Sequence, residues 1–199
     1  QQGDQTGATR CFNELIAQAH TIGDYFHEAR GLDCLADQAL AVGDMAMARH
    51  AIEDGLTLAR AHRVRLVYQW LYITRGKIAL AECDWQEAEA WLRRGLAEAE
   101  RFGAVSHIAA CHASMARLAQ TRGEFDAALD LLETARTQAA LASETYMRAE
   151  LDLALTELRI TRGETELANV ALGQATAKLR DRDYPLLCAQ AERLRARLR

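Results

Sequence analysis

Only one proline, Pro185, occurs in 199 residues, and alanine and leucine dominate. Proline is the main helix breaker and Ala, Leu, Arg and Glu are good helix formers, so helix is expected almost everywhere. Cysteines are few and unpaired in spacing: 11, 34, 83, 111 and 188. An odd, scattered set argues against a disulfide framework and leads us to expect a reducing cytoplasm. Long apolar runs are missing too. The longest, LVYQWLYI from Leu66 to Ile73, is too short to span a bilayer, so no membrane partner is expected. No signal peptide is visible, and the chain opens QQGDQTG without methionine. The net charge of -4 lacks the basic excess that nucleic-acid binding leaves behind.

What is present is a repeat. At a spacing of forty residues the chain aligns GDQTGA (Gly3), GDMAMA (Gly43), CDWQEA (Cys83), GEFDAA (Gly123) and GETELA (Gly163). The second position is always acidic. The sixth is always alanine: Ala8, Ala48, Ala88, Ala128, Ala168. Four residues on come Phe12, Ile52, Leu92, Leu132 and Leu172, then Leu15, Gly55, Gly95, Ala135 and Ala175. The glycine suits a left-handed helix end. The acid suits the positive end of the following helix. The alanine permits close approach of two helices, and the large apolar residue one turn later fills the space beside it.

Apolar spacing of three and four predicts ten helices: 4–20, 25–41, 44–61, 65–82, 84–101, 104–121, 124–140, 144–161, 164–180 and 184–198. Short loops make neighbours antiparallel. The expected fold is all-α, a right-handed α-solenoid of helix pairs forming one array over residues 1–199. The array opens on the second helix of a pair and closes on the first of another. The face at Phe12, Leu15 and Ile16 then lacks an upstream partner, so a piece of a longer array, or self-association through open ends, is expected.

The block G-[DE]-x-x-x-A-x-x-x-Φ (Φ apolar), preceded by a helix with small residues, resembles the tetratricopeptide repeat along the whole chain. The family glycine of the first helix is matched by Gly76, while Ala36, Ala116 and Thr156 stand at the other copies. The family aromatic is matched by Trp85 and Phe125 but not by Met45 or Thr165, and the closing proline is absent. The long, proline-poor, Ala- and Arg-rich repeat resembles that of MalT-like (LuxR-type, ATP-dependent) transcription regulators. There the array is the sensor of an inducer. That resemblance implies a non-enzymatic bacterial region that senses an effector and oligomerises, without a cofactor of its own. Its partner would be a small-molecule effector or a regulatory protein or peptide. The alternative is a general scaffold that holds a peptide or partner helix in its concave groove. The family's groove positions fall on Arg30, Asp33 and Asp37; on Trp70, Ile73 and Lys77; on Ala110, Ala113 and Arg117; on Glu150, Leu153 and Glu157; and on Gln190, Arg193 and Arg197. Trp70 beside Lys77 and Arg117 would make a recognition patch. Trp70 and Tyr72 are equally readable as core between repeats.

Other motifs carry less. TRGK at Thr74 has Ile78 after its lysine and Leu71 where a phosphate loop needs glycine, so Gly76 reads as a packing glycine. His107 and Cys111 share a helix face, but His112 points about 100° away and no second cluster completes a zinc site. Ser106, Ser114 and Ser143 lack a His–carboxylate set, and the pair Glu98 and Glu100 reads as a solvated face. No catalytic residue, metal or cofactor is assigned. The terminal ERLRARLR reads as a solvated helix whose arginine stems cover apolar surface.

Overall fold

The computed structural model describes residues 2–142, 145–180 and 184–199, with side chains from residue 7 onward. Among these residues it is all helical. The elements are α1 (Gln2–Ile22), α2 (Tyr25–Val42), α3 (Met45–Ala61), a 3-10 turn (Arg65–Val67), α4 (Tyr68–Ala81), α5 (Trp85–Arg101), α6 (Val105–Thr121), α7 (Phe125–Leu141), α8 (Thr145–Thr161), α9 (Thr165–Leu179) and α10 (Pro185–Arg197). The packed pairs are α2 with α3, α4 with α5, α6 with α7, and α8 with α9. This is the architecture of an α-solenoid built from helix pairs. The chain divides into two units, Gln1–Gly103 and Ala104–Arg199.

The joints explain the pattern. Gly43, Gly123 and Gly163 have φ of 84°, 78° and 76°, and Cys83 takes the same left-handed conformation at 61°. After each, an N–H reaches back to a carbonyl five residues earlier: Asp44 to Ala39 at 2.9 Å, Asp84 to Ala79 at 3.0 Å, Glu124 to Ala119 at 2.9 Å. That bond, with the left-handed residue before it, ends the helix and satisfies an otherwise orphan carbonyl. A second set of joints lies midway, at Gly23, Arg63 and Gly103, with φ of 72°, 57° and 62°. Each helix and its turn therefore take twenty residues, and the forty-residue repeat is two such steps. Buried alanines follow the shorter period at Ala19, Ala39, Ala59, Ala79, Ala99, Ala119 and Ala139, a column legible in the sequence only at a spacing of twenty.

The repeat's core positions are filled as expected. Ala48, Ala88, Ala128 and Ala168 are fully buried, with Ile52, Leu92, Leu132 and Leu172 packed one turn further on. A Cβ on Gly76 would stand 2.7 Å from Leu92 Cγ, so this glycine lets α4 sit against α5 and is no phosphate ligand. Two boundaries differ from expectation. Helix α1 runs through Gly3, where the later copies of the repeat have left-handed joints at Gly43, Cys83, Gly123 and Gly163. The expected helix 65–82 begins as a 3-10 turn: Val64, at its cap, has no side-chain acceptor, and the first turn closes with the tighter bonding pattern instead.

Candidate functional site

Helices α2 and α4 are the first helices of successive pairs and lie against each other. Arg30, Asp33 and Asp37 fall on one face of α2, and Trp70, Thr74 and Lys77 on one face of α4, by their spacing of three and four. Where the faces meet they pair in register. The Arg30 guanidinium lies 4.8 Å from the Trp70 ring centre. The Thr74 hydroxyl donates to Asp33 Oδ1 at 2.7 Å, and Arg30 donates to Asp33 Oδ2. Lys77 Nζ donates to Asp37 Oδ1 at 2.8 Å. Phe26 meets the edge of Trp70, ring centres 5.8 Å apart.

Burial grades along this face. Asp33 is only 4% exposed, whereas Trp70 and Lys77 are half-buried and Asp37 is exposed. Burial pushes the Asp33 carboxyl above its ordinary value, against the Thr74 hydroxyl and the Arg30 guanidinium, which pull it down. Buried Asp33 thus fixes Arg30, and Arg30 lies across the indole.

Five of the expected site residues are therefore brought together: Arg30, Asp33, Asp37, Trp70 and Lys77. Of the expected patch of Trp70 with Lys77 and Arg117, Trp70 has the Arg30 guanidinium over its ring, Lys77 donates to Asp37, and Arg117 is exposed on α6. Trp70 and Tyr72 flank the core and keep partial exposure. Tyr72 stacks on Tyr68 with ring centres 5.2 Å apart and also packs on Trp91; burial raises its phenol.

In the second unit the expected residues are more dispersed. Glu157 on α8 accepts from Arg197 on α10 at 3.2 Å, forty residues apart like Asp37 and Lys77. Arg117, Glu150 and Arg193 are exposed on α6, α8 and α10. Ile73 and Leu153 are 4% and 0% exposed, so at these two copies the position is core and not groove. The reason is the two-pair contact itself: a residue at the centre of the seam between first helices has no solvent to face. Glu98 is also more enclosed than a solvated face implies, its side chain 22% exposed beside Arg101. Ser114 spends its hydroxyl on the Ala110 carbonyl, and Ser143 lies outside the described residues. Cys111 is buried. Among the described residues no group of three or more His, Cys, Asp or Glu side chains is arranged to hold a metal, and no helix is long and apolar enough to cross a membrane.

Two charged clusters went unseen in the sequence. In the first unit Arg75 on α4 is 11% exposed and reaches Glu53 on α3 at 3.3 Å and Glu87 on α5 at 2.7 Å. In the second unit Asp152 on α8 is 1% exposed, held by Lys178 on α9 and facing Arg136 on α7 at 3.8 Å. Each is one charge in an otherwise ordinary helical pattern, and only the packing shows its partners.

No protein-family model and no curated protein matches the chain. Among solved structures it is similar to the crystal structure of BtubC (BKLC) from P. vanneervenii, with 15% sequence identity and a TM-score of 0.69, over 96% of this chain and 89% of that one. At this identity the likeness is one of fold: a helical-repeat architecture along nearly the whole chain.

Proposed function

We propose that this chain is a non-enzymatic binding module, a helical-repeat scaffold that takes a partner on the face shared by α2 and α4. One observation supports this above the others. Trp70 is kept partly exposed between Phe26 and Arg30 while the polar groups beside it are already paired. A rigid aromatic with oriented donors at its rim is the composition of binding hot spots. A peptide or partner helix laid along such a face needs apolar area at the centre and satisfied polar groups around it.

The finer reading is that the module is the effector-sensing and oligomerising region of a MalT-like transcription regulator, working in the cytoplasm without a cofactor. Its support is the forty-residue, proline-poor repeat. A full gene product with no nucleotide-binding domain upstream of this segment would remove that reading and leave the scaffold. The scaffold itself is tested by fishing for partners with the isolated chain and titrating the captured partner calorimetrically. Trp70→Ala is expected to weaken binding by about thirtyfold, the loss of a hot-spot side chain. Unchanged affinity would place the binding face elsewhere.

A further inference from the structure

The ion cluster around Arg75 has a counterpart one repeat earlier, and the counterpart is empty of charge. Arg75 fills the slot between α3 and α5 over α4. Its partners there are Glu53 and Glu87, with the Glu82 carboxylate 3.9 Å away; Arg49 also donates to Glu82. Subtracting forty from Arg49, Glu53, Arg75, Glu82 and Glu87 gives Thr9, Asn13, Leu35, Val42 and Met47. All five line the cavity that opens between α1 and α3 over α2, with a volume of about 660 Å³. Where the next repeat holds an arginine bolt and its carboxylates, this one has a neutral, largely apolar set. The second unit repeats the bolted form: Arg159 on α8 reaches Glu133 on α7 at 3.2 Å and the Leu167 carbonyl on α9 at 3.4 Å. The positions one hundred and twenty residues earlier are Ala39, Asn13 and Met47, and they too line the cavity.

We propose that this unbolted slot is a binding site for a small, uncharged, predominantly apolar molecule, such as a short branched chain or ring system with one polar end. The floor is apolar: Leu35 and Ala39 are buried, and Val42 and Met47 are 48% and 39% exposed at the opening. The rim carries both signs, Arg10 against Glu14 at 3.9 Å and Asp44 at the α3 cap. Asp44 Oδ1 accepts from the Met47 N–H at 3.0 Å. A rim with both signs close together favours no net charge on the ligand, while the Asn13 amide offers neutral hydrogen bonds. The volume is in the range of small-molecule sites. The slot is separate from the α2–α4 face, since Leu35 points about 200° away from Asp33 around α2, and the inference does not depend on the function proposed above.

The fold itself supplies the test. The triple substitution Asn13→Glu, Leu35→Arg and Met47→Glu installs the bolt that the next repeat already carries. Nile red, a neutral apolar dye, serves as the probe, titrated into the full chain and read by its emission increase and blue shift. The wild-type chain is expected to bind it saturably, and the bolted variant at least tenfold more weakly, with helical circular dichroism intact. If the triple variant does not fold, Met47→Trp, at a partly exposed position on the opening, obstructs the slot with less disturbance of the core and is expected to weaken binding similarly. Asp130→Asn, at an exposed position on α7 in the other unit, should leave dye binding unchanged. Absence of saturable binding to the wild type, or equal binding to a folded bolted or obstructed variant, would overturn the proposal.

Discussion

Each unit of the chain buries an aspartate between helices, and the two aspartates face different neighbours. Asp33 meets Thr74 on the first helix of the following pair. Asp152 meets Lys178 on its own partner helix α9 and Arg136 on the preceding α7. In the forty-residue register Asp33 aligns with Leu153, so Asp152 sits one residue earlier and points about 100° away around the helix. One residue of offset thus turns a link between first helices into a clamp within and behind a pair. The chemistry differs accordingly. Asp33 is matched mainly by a neutral hydroxyl and by an arginine of its own helix, whereas Asp152 is matched by two cations from other helices.

The sharpest way to break the comparison is to remove a cation from the second unit. Lys178→Met deletes the ammonium and preserves most of the aliphatic stem, leaving a carboxylate that is 1% exposed with only Arg136 nearby. Uncompensated buried charge is expensive, and a loss of about 3 kcal/mol in unfolding free energy is expected by urea denaturation. A change below about 1 kcal/mol would show that Asp152 is solvated in practice and that the clamp is not structural.

In the first unit the corresponding lever is pH. Because Asp33 is raised above its ordinary value of 3.8, the folded chain holds that proton where the unfolded chain has released it. The stability it contributes is full below the unfolded value and is lost as pH rises through the folded one. Asp33→Asn cannot titrate. The stability of the wild type relative to Asp33→Asn is therefore expected to decline as pH is raised from about 4 toward neutrality, followed by urea midpoints in a pH series. A difference that grows instead would mean that Thr74 and Arg30 outweigh burial at this site.

How far all this was legible in the sequence varies by the kind of signal. Gly43, Gly123 and Gly163 announce their joints because left-handed backbone selects glycine. Arg63 hides an equivalent joint because a single non-glycine residue can take that conformation at a cost, and nothing in its identity says so. The core columns were visible because burial is periodic. The pairings Asp33–Thr74, Arg75–Glu87 and Asp152–Lys178 were not, since a lone charge or hydroxyl on a helix looks the same whether it faces water or a neighbour. The Arg30–Trp70 contact lay in between: both residues are groove positions forty apart, but which cation covers the ring depended on Asp37 holding Lys77. The slot over α2 was least visible, because it shows only as charges missing relative to the next repeat.

Cys83 is the joint where the forty-residue pattern departs from glycine, and it tests how much the left-handed turn matters. Its φ is 61°, a conformation that strains any residue with a Cβ. Cys83→Gly relieves the strain at the expense of a more flexible unfolded chain, and a net gain of about 0.5–1 kcal/mol is expected, measured as a raised melting temperature. No gain would mean that the Cys83 side chain contributes packing that offsets the strain.

The smallest effect separates the two units at their helix starts. In the first unit Asp24, Asp44 and Asp84 each accept the N–H three residues on, from His27 at 3.1 Å, Met47 at 3.0 Å and Glu87 at 3.0 Å. In the second unit Glu124 and Glu164 occupy the same place and make no such bond. Glutamate has the charge that suits a helix N-terminus but one methylene too many to fold back onto the backbone. Glu124→Asp is expected to stabilise by about 0.5 kcal/mol, since aspartate can accept from the N–H of Ala127. Glu164→Asp should gain less, because the Glu164 carboxylate already receives Arg162 Nε at 2.6 Å and shortening the side chain gives up that contact. Equal gains at the two positions, compared by thermal melts of the single variants, would show that the Arg162 pair contributes nothing, as many exposed ion pairs do.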